Sequence, residues 1–174
     1  MCTGPSSVSH FTLRGHAFEI RPARADEVDA VRRLVRRAYA IYVPRIGREP
    51  APMGADYAAL VRAGAVTVAA DQGAIVGVLV LRAQLGSLLL ENVAVAPAEQ
   101  RRGIGRALIA FAEERARELN LGKVTLYTNA RMTENLSLYR RLGYVEVGRR
   151  REDGFERVFF EKIVEAGSPG VAVP

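Results

Sequence analysis

The chain has 174 residues, 49% apolar and 25% charged, which is the balance of one ordinary globular domain able to bury a core. Its single cysteine, Cys2, has no partner for an internal disulfide. No apolar run approaches the roughly 20 residues of a membrane span, and no signal-peptide core follows Met1. These features lead us to expect a cytoplasmic protein with no membrane partner. The net charge of +6 admits an anionic partner; solvated arginine faces are the plainer explanation, and the helical pairs Arg32/Arg33 and Arg36/Arg37 favour it.

Residues 1–15 are Ser/Gly-rich and read as a flexible N-terminal segment, 16–164 as the globular domain, and 165–174 as a flexible tail. No repeat or linker divides the domain. Segment 17–22 alternates like a strand. Asp26 is the expected N-cap of a helix over 26–39, with Val28, Val31, Leu34, Val35 and Ala38 at helical spacing. Three prolines and two glycines make 42–54 an irregular loop, and a short helix follows over 55–63. Strands are expected at 65–71 and 74–83, joined at Gln72-Gly73, and at 87–95 after a turn near Gly86. A long helix covers 103–119, a strand 123–128 and a helix 133–142. A closing hairpin covers 144–163, with its turn at Asp153-Gly154. The order is that of an α/β (α+β) protein: a mixed, mostly antiparallel central sheet of about seven strands with helices on both faces.

The most informative stretch runs from Val93 to Leu108. A buried strand ends at Pro97, a short basic turn follows, and a strong helix begins. The first backbone N–H groups of a helix lack intrahelical acceptors and lie at the positive end of its dipole. They suit a pyrophosphate. Gly103 and Gly105 remove the Cβ atoms that would hold a ligand off the backbone. Arg101, Arg102 and Arg106 add charge. The competing reading is a glycine-containing loop that merely starts a helix. The stretch is neither a Walker A loop nor a dinucleotide fingerprint, since Leu108 stands where the third glycine belongs.

The run Gln100-Arg101-Arg102-Gly103-Ile104-Gly105, preceded by a V-A-V-x-P strand end, resembles the signature of the GNAT acetyltransferase superfamily. Asn135, Ser137, Tyr139, Gly143 and Tyr144 match a second region of that family, with Leu138 where an aromatic is frequent. The resemblance covers about residues 18–163 and implies the GNAT fold. It also implies acetyl-CoA as co-substrate and transfer of acetyl to an amine by direct attack on the thioester.

It further implies a CoA pyrophosphate at the backbone of Arg101, Arg102, Gly103, Ile104, Gly105 and Arg106. The pantetheine arm would run along Val93-Ala94-Val95, pairing at Val93 and Val95, in a slot whose other wall is Lys123–Thr128, closed by Asn129. Asn135 would hold the same arm. Tyr139, on the helix face of Asn135, would stand by the sulfur. A leaving thiolate needs a proton, and a phenol with a pKa of about 10 carries one at neutral pH. The alternative for Tyr139 is packing at the sheet edge. Gly143 reads as a C-terminal cap.

An alkylammonium must lose a proton before it attacks. Glu91 is the candidate base, sharing a strand face with Val93 and Val95 and partly desolvated there; otherwise it is a solvent-facing acid at a strand end. Asn92 is a weaker alternative with a role at the backbone. His10 and His16 lie upstream and read as surface residues. No cluster has metal-ligand spacing, so no metal is expected.

The resemblance assigns the acceptor pocket to the loop after the first helix, with Tyr42, Arg45, Glu49 and Met53 as substrate-binding candidates and Tyr39 and Tyr57 nearby. Arg45 either pairs with an acceptor carboxylate or ties the loop down. The acceptor is a small-molecule amine or a peptide or protein amino group. The alternative function is a non-catalytic acyl-CoA-binding or regulatory GNAT-fold protein. A nucleic-acid partner is not expected, because no aromatic-basic strand motif or recognition helix is present. The oligomeric state stays open, with a homodimer as one option because dimers are common in such folds.

Overall fold

The computed structural model describes residues 8–13 and 16–165. Expectations for 1–7, 14–15 and 166–174, Cys2 among them, lie outside the described residues. The described chain is mixed α/β, with eight strands and five α-helices. It divides into two compact units, Met1–Arg82 with Leu90–Ala110 and Ala83–Leu89 with Phe111–Pro174. No helix among the described residues is long and apolar enough to cross a membrane.

In the first unit, β1 (Ser9–Leu13), β2 (His16–Pro22), β3 (Val66–Asp71) and β4 (Ala74–Gln84) pair antiparallel in chain order. β1 is the strand beyond the seven expected, and it lies where a flexible segment was read. Ser, His and Thr mask its alternation. What holds it is a partner further along the chain: Phe11 registers against Phe18 and the rings stack at 5.7 Å.

The first helix departs from expectation at its start. Asp26 is exposed and makes no cap. A 3-10 turn (Ala25–Glu27) precedes α1 (Val28–Tyr39). The terminus is closed by Glu27, which accepts from the Arg24 N–H at 2.8 Å and from both terminal nitrogens of buried Arg21 at 2.7 and 2.9 Å. The Arg21 guanidinium holds the Glu27 carboxyl below the usual carboxylate range.

The 42–54 segment is also more regular than a loop. It holds α2 (Val43–Ile46), one turn long, between 3-10 turns at Ala40–Tyr42 and Ala51–Gly54. The prolines that argued against helix fall in first turns, where a missing N–H costs nothing. α3 (Tyr57–Arg62) follows, capped by Asp56, which accepts from the Ala59 N–H at 3.0 Å.

The apolar face of α1 (Val31, Leu34, Val35, Ala38) packs with Tyr57, Leu60, Val66, Val68, Val78, Val80 and Ala94 as one buried cluster. β5 (Ser87–Val95) leads through a 3-10 turn (Pro97–Glu99) to α4 (Ile104–Glu118). Gly77 seats the start of α4: a Cβ there would stand 2.9 Å from Leu108 Cδ1 and 3.1 Å from Ile104 Cγ2. Only a residue without a side chain lets the helix approach so closely.

In the second unit, β6 (Lys123–Asn129) and β7 (Val145–Glu152) both pair antiparallel with β8 (Phe155–Ile163), which lies between them. The β7–β8 turn has Asp153 and Gly154 at φ +51° and +78°, the left-handed pair of a tight hairpin. α5 (Thr133–Arg141) buries Leu136 and Tyr139. Leu138 and Leu142 are half-buried.

Candidate functional site

Past β5 the backbone turns through Arg101 at φ +67° and Gly103 at φ +90°. At Gly103 a side chain would be strained, so glycine is required by conformation as well as by access. The first bond of α4 runs from the Ala107 N–H to the Gly103 carbonyl at 3.0 Å. The N–H groups of Ile104, Gly105 and Arg106 are therefore those without an intrahelical acceptor. A Cβ on Gly105 would touch only Val95 Cγ2, at 3.5 Å.

The three arginines of the turn differ. Arg102 is half-buried, ion-paired with Glu99, and reaches Asp71 at 3.5 Å. Arg101 and Arg106 are exposed with no carboxylate partner among the described residues. Arg102 braces the turn, while the other two leave it positively charged. The donor set, three backbone N–H groups and two unneutralised guanidinium groups, fits a pyrophosphate.

β5 alternates as predicted. Leu88, Leu90, Asn92 and Ala94 are buried, whereas Leu89, Glu91, Val93 and Val95 form the half-exposed face. Glu91 shares that second face and is ion-paired with Arg82 of β4, a partner the sequence reading lacked. Ala94 belongs to the core cluster, which leaves only its backbone open to a ligand.

Asn92 sits 4% exposed on the core face, and it does not bond backbone. The Tyr39 hydroxyl donates to its Oδ1 at 2.6 Å, and its Nδ2 donates to the Tyr57 hydroxyl at 3.1 Å. Tyr57 in turn donates to the Pro52 carbonyl at 2.8 Å. Burial pushes the Tyr57 phenol above its ordinary pKa, against a lowering by the Asn92 amide. The signal was present in the sequence: an amide at a core-phase strand position demands partners.

All four acceptor-loop candidates have structural ties. Glu49 pairs with Arg36 of α1 at 2.7 Å, and the same arginine donates to the Met53 carbonyl at 3.3 Å. Met53 is buried, a core side chain rather than an open pocket wall. The Arg45 guanidinium lies 5.4 Å from the centre of the Tyr42 ring, which packs at 6.1 Å from Tyr39.

In the second unit, Asn129 closes its own turn by accepting the Arg131 N–H at 2.9 Å. Asn135 is half-buried, with its Nδ2 3.4 Å from Thr128 Oγ1 and 3.6 Å from Met132 Sδ. Tyr139 is buried, its ring centre 5.8 Å from those of both Tyr144 and Phe160. Lys162, paired to Glu113 at 2.8 Å, stands 5.5 Å from the Tyr144 ring centre. Gly143 follows α5 at φ +85°. Among the described residues no group of three or more His, Cys, Asp or Glu is placed to hold a metal.

Residues 62–146 match the family model described as the acetyltransferase (GNAT) domain. Among curated proteins none matches significantly. Solved structures with a similar fold are numerous. The PaiA N-acetyltransferase of Thermoplasma acidophilum in complex with coenzyme A aligns at TM-score 0.73 and 16% identity, over 84% of this chain and 98% of that one. The ribosomal-protein-S18-alanine N-acetyltransferase of Escherichia coli aligns at 0.67 and 19%, over 90% and 99%. YncA of Salmonella typhimurium, a putative acetyltransferase with its cofactor acetyl-CoA, aligns at 0.64 and 17%, over 90% and 99%.

Proposed function

We propose that this chain, whose residues 62–146 match the acetyltransferase (GNAT) domain, is a GNAT-superfamily, acetyl-CoA-dependent N-acetyltransferase acting on a primary amine of a small molecule, peptide or protein. The observation that carries this reading is the turn after β5. Gly103 adopts a left-handed conformation, α4 opens with N–H groups that lack an intrahelical acceptor, and Arg101 and Arg106 have no acid to neutralise them among the described residues. Two structures of similar fold hold coenzyme A or acetyl-CoA, which agrees with a cofactor of that chemistry here.

The thioester supplies an activated acetyl group. The N–H groups of Ile104, Gly105 and Arg106 hold the pyrophosphate, with Arg101 and Arg106 screening its charge. The backbone of Val93 and Val95 orients the pantetheine arm, helped by Asn129 and Asn135. Glu91 takes the ammonium proton, directly or through water, once the amine displaces Arg82 from it. The amine nitrogen would then bond to the carbonyl carbon and the carbon–sulfur bond would break; the Tyr139 phenol would give the departing sulfur its proton and regain one, through water, from the new amide nitrogen. Tyr42 and Arg45 line the acceptor side, with Glu49 and Met53 holding its loop. We place the protein in the cytoplasm, without nucleic-acid or membrane partners, and as a homodimer if it assembles.

One observation favours the second reading, a non-catalytic acyl-CoA-binding protein: Arg82 occupies the candidate base. Calorimetry with acetyl-CoA at two salt concentrations, followed by an amine screen reading free thiol, separates the two. Micromolar binding that persists at moderate salt, with thiol release on adding an amine, supports the enzyme. Binding without release supports the second reading. Gly103→Glu adds bulk and negative charge at the turn and should abolish binding. Unchanged affinity in that variant removes the phosphate assignment.

A further inference from the structure

Asn92 joins three parts of the first unit through side chains alone. Its Oδ1 accepts from Tyr39 at the C-terminal end of α1, and its Nδ2 donates to Tyr57 at the start of α3. Through Tyr57 it reaches the Pro52 carbonyl, one residue before Met53 in the acceptor loop. The segment between Tyr39 and Tyr57 is therefore pinned at both ends to a single amide on β5. Along that strand, Glu91 and Val93 flank Asn92 and face the opposite side.

The chain of donors is complete and directional, Tyr39 to Asn92 to Tyr57 to Pro52. Removing the Tyr39 hydroxyl leaves the buried Asn92 Oδ1 without its donor, and removing the Tyr57 hydroxyl leaves the Asn92 Nδ2 without its acceptor. A carbonyl or a backbone N–H would serve stability equally well. What the amide adds is a donor and an acceptor on one rigid plane, which sets two phenols at a fixed separation. We infer that Asn92 is a positioning residue for acceptor selection: it fixes where the 40–54 segment stands relative to Glu91, and so decides which amines reach the base in line. This rests on the acetyltransferase reading above.

The test uses the full chain and two variants, Tyr39→Phe and Asn92→Leu. Tyr39→Phe removes one hydroxyl and keeps the ring, so it folds even if Asn92→Leu does not. Hydrogen exchange of residues 40–54 is measured without ligands. KM is then measured separately for acetyl-CoA and for the best amine found in the screen. The expected result is faster exchange confined to 40–54 and an amine KM raised about fivefold to tenfold, the span of one lost hydrogen bond, with the acetyl-CoA KM unchanged. Unchanged exchange in 40–54, or equal rises in both KM values, overturns the proposal. A parent protein that binds acetyl-CoA but acetylates no amine sinks the acetyltransferase reading instead, and the proposal with it; the parent's thiol release tells the two failures apart.

Discussion

Around Asn92 in the first unit, position is set by polar atoms: three hydrogen bonds of 2.6 to 3.1 Å tie two phenols, an amide and a carbonyl together. Around Tyr139 in the second unit, position is set by ring shape. Tyr139 packs against Tyr144 and Phe160 at 5.8 Å, and the buried Tyr144 hydroxyl has no hydrogen-bond partner among the described residues. The same residue type is thus used in two ways. Where oxygens carry the geometry, deleting one should disturb structure. Where rings carry it, deleting an oxygen keeps the ring contacts, and a loss of kcat without a loss of cofactor affinity reads chemistry.

The largest effect is expected at Tyr139. Tyr139→Phe keeps the ring contacts and should leave acetyl-CoA affinity nearly unchanged. It should lower kcat about 10–1000-fold, the span of one general acid. An unchanged kcat would reduce Tyr139 to a packing residue and make the second unit's cluster structural throughout. Steady-state kinetics beside calorimetry on the same preparation decides it.

Tyr57→Phe should act in the opposite manner. It strands the Pro52 carbonyl and one Asn92 donor in a buried setting, at a cost of about 1–3 kcal/mol. Urea denaturation should show that loss with an unchanged slope. A variant as stable as the parent would mean that water replaces the phenol oxygen, and the comparison between the two clusters would collapse.

What the sequence disclosed follows the same division. The strand–turn–helix around Gly103 was legible because its determinants are local: glycine, proline and arginine within ten residues of one another. The alternation of β5 and the hairpin turns at Gln72-Gly73 and Asp153-Gly154, both left-handed, were legible for the same reason. β1 was not, since Phe11 acquires meaning only from Phe18 beside it. Short helical turns in 42–54 were hidden because proline reads as a breaker unless its place in the first turn is known. Glu91 was read as a lone acid because nothing in its neighbourhood points to Arg82, nine residues back on the adjoining strand. Asn92 was read for its backbone because Tyr39 and Tyr57 are 53 and 35 residues away. Long-range polar pairing has no periodicity, so pattern reading finds the demand for a partner and not the partner.

The smallest effect is expected at Tyr144, and its sign matters more than its size. The hydroxyl is buried without a partner among the described residues, so Tyr144→Phe removes a desolvated polar atom while the neighbouring Lys162–Glu113 pair at 2.8 Å stays intact. Stability near pH 8 should be unchanged or higher by about 0.5–1 kcal/mol, a fraction of the cost of burying a hydroxyl unpaired. The difference should widen in alkali. Burial, and then the negative charge of Glu113, push the Tyr144 phenol well above its ordinary value. The folded state therefore holds that proton to a higher pH than the unfolded state does. The contribution is fully present below the unfolded value of about 10 and is lost as pH rises from there through the folded value. Phenylalanine has no proton to lose, so the melting temperature of Tyr144→Phe should fall less than the parent's between pH 9 and 11. Parallel declines would show that Tyr144 does not drive the alkaline loss, leaving Tyr57, also raised by burial, as the phenol responsible.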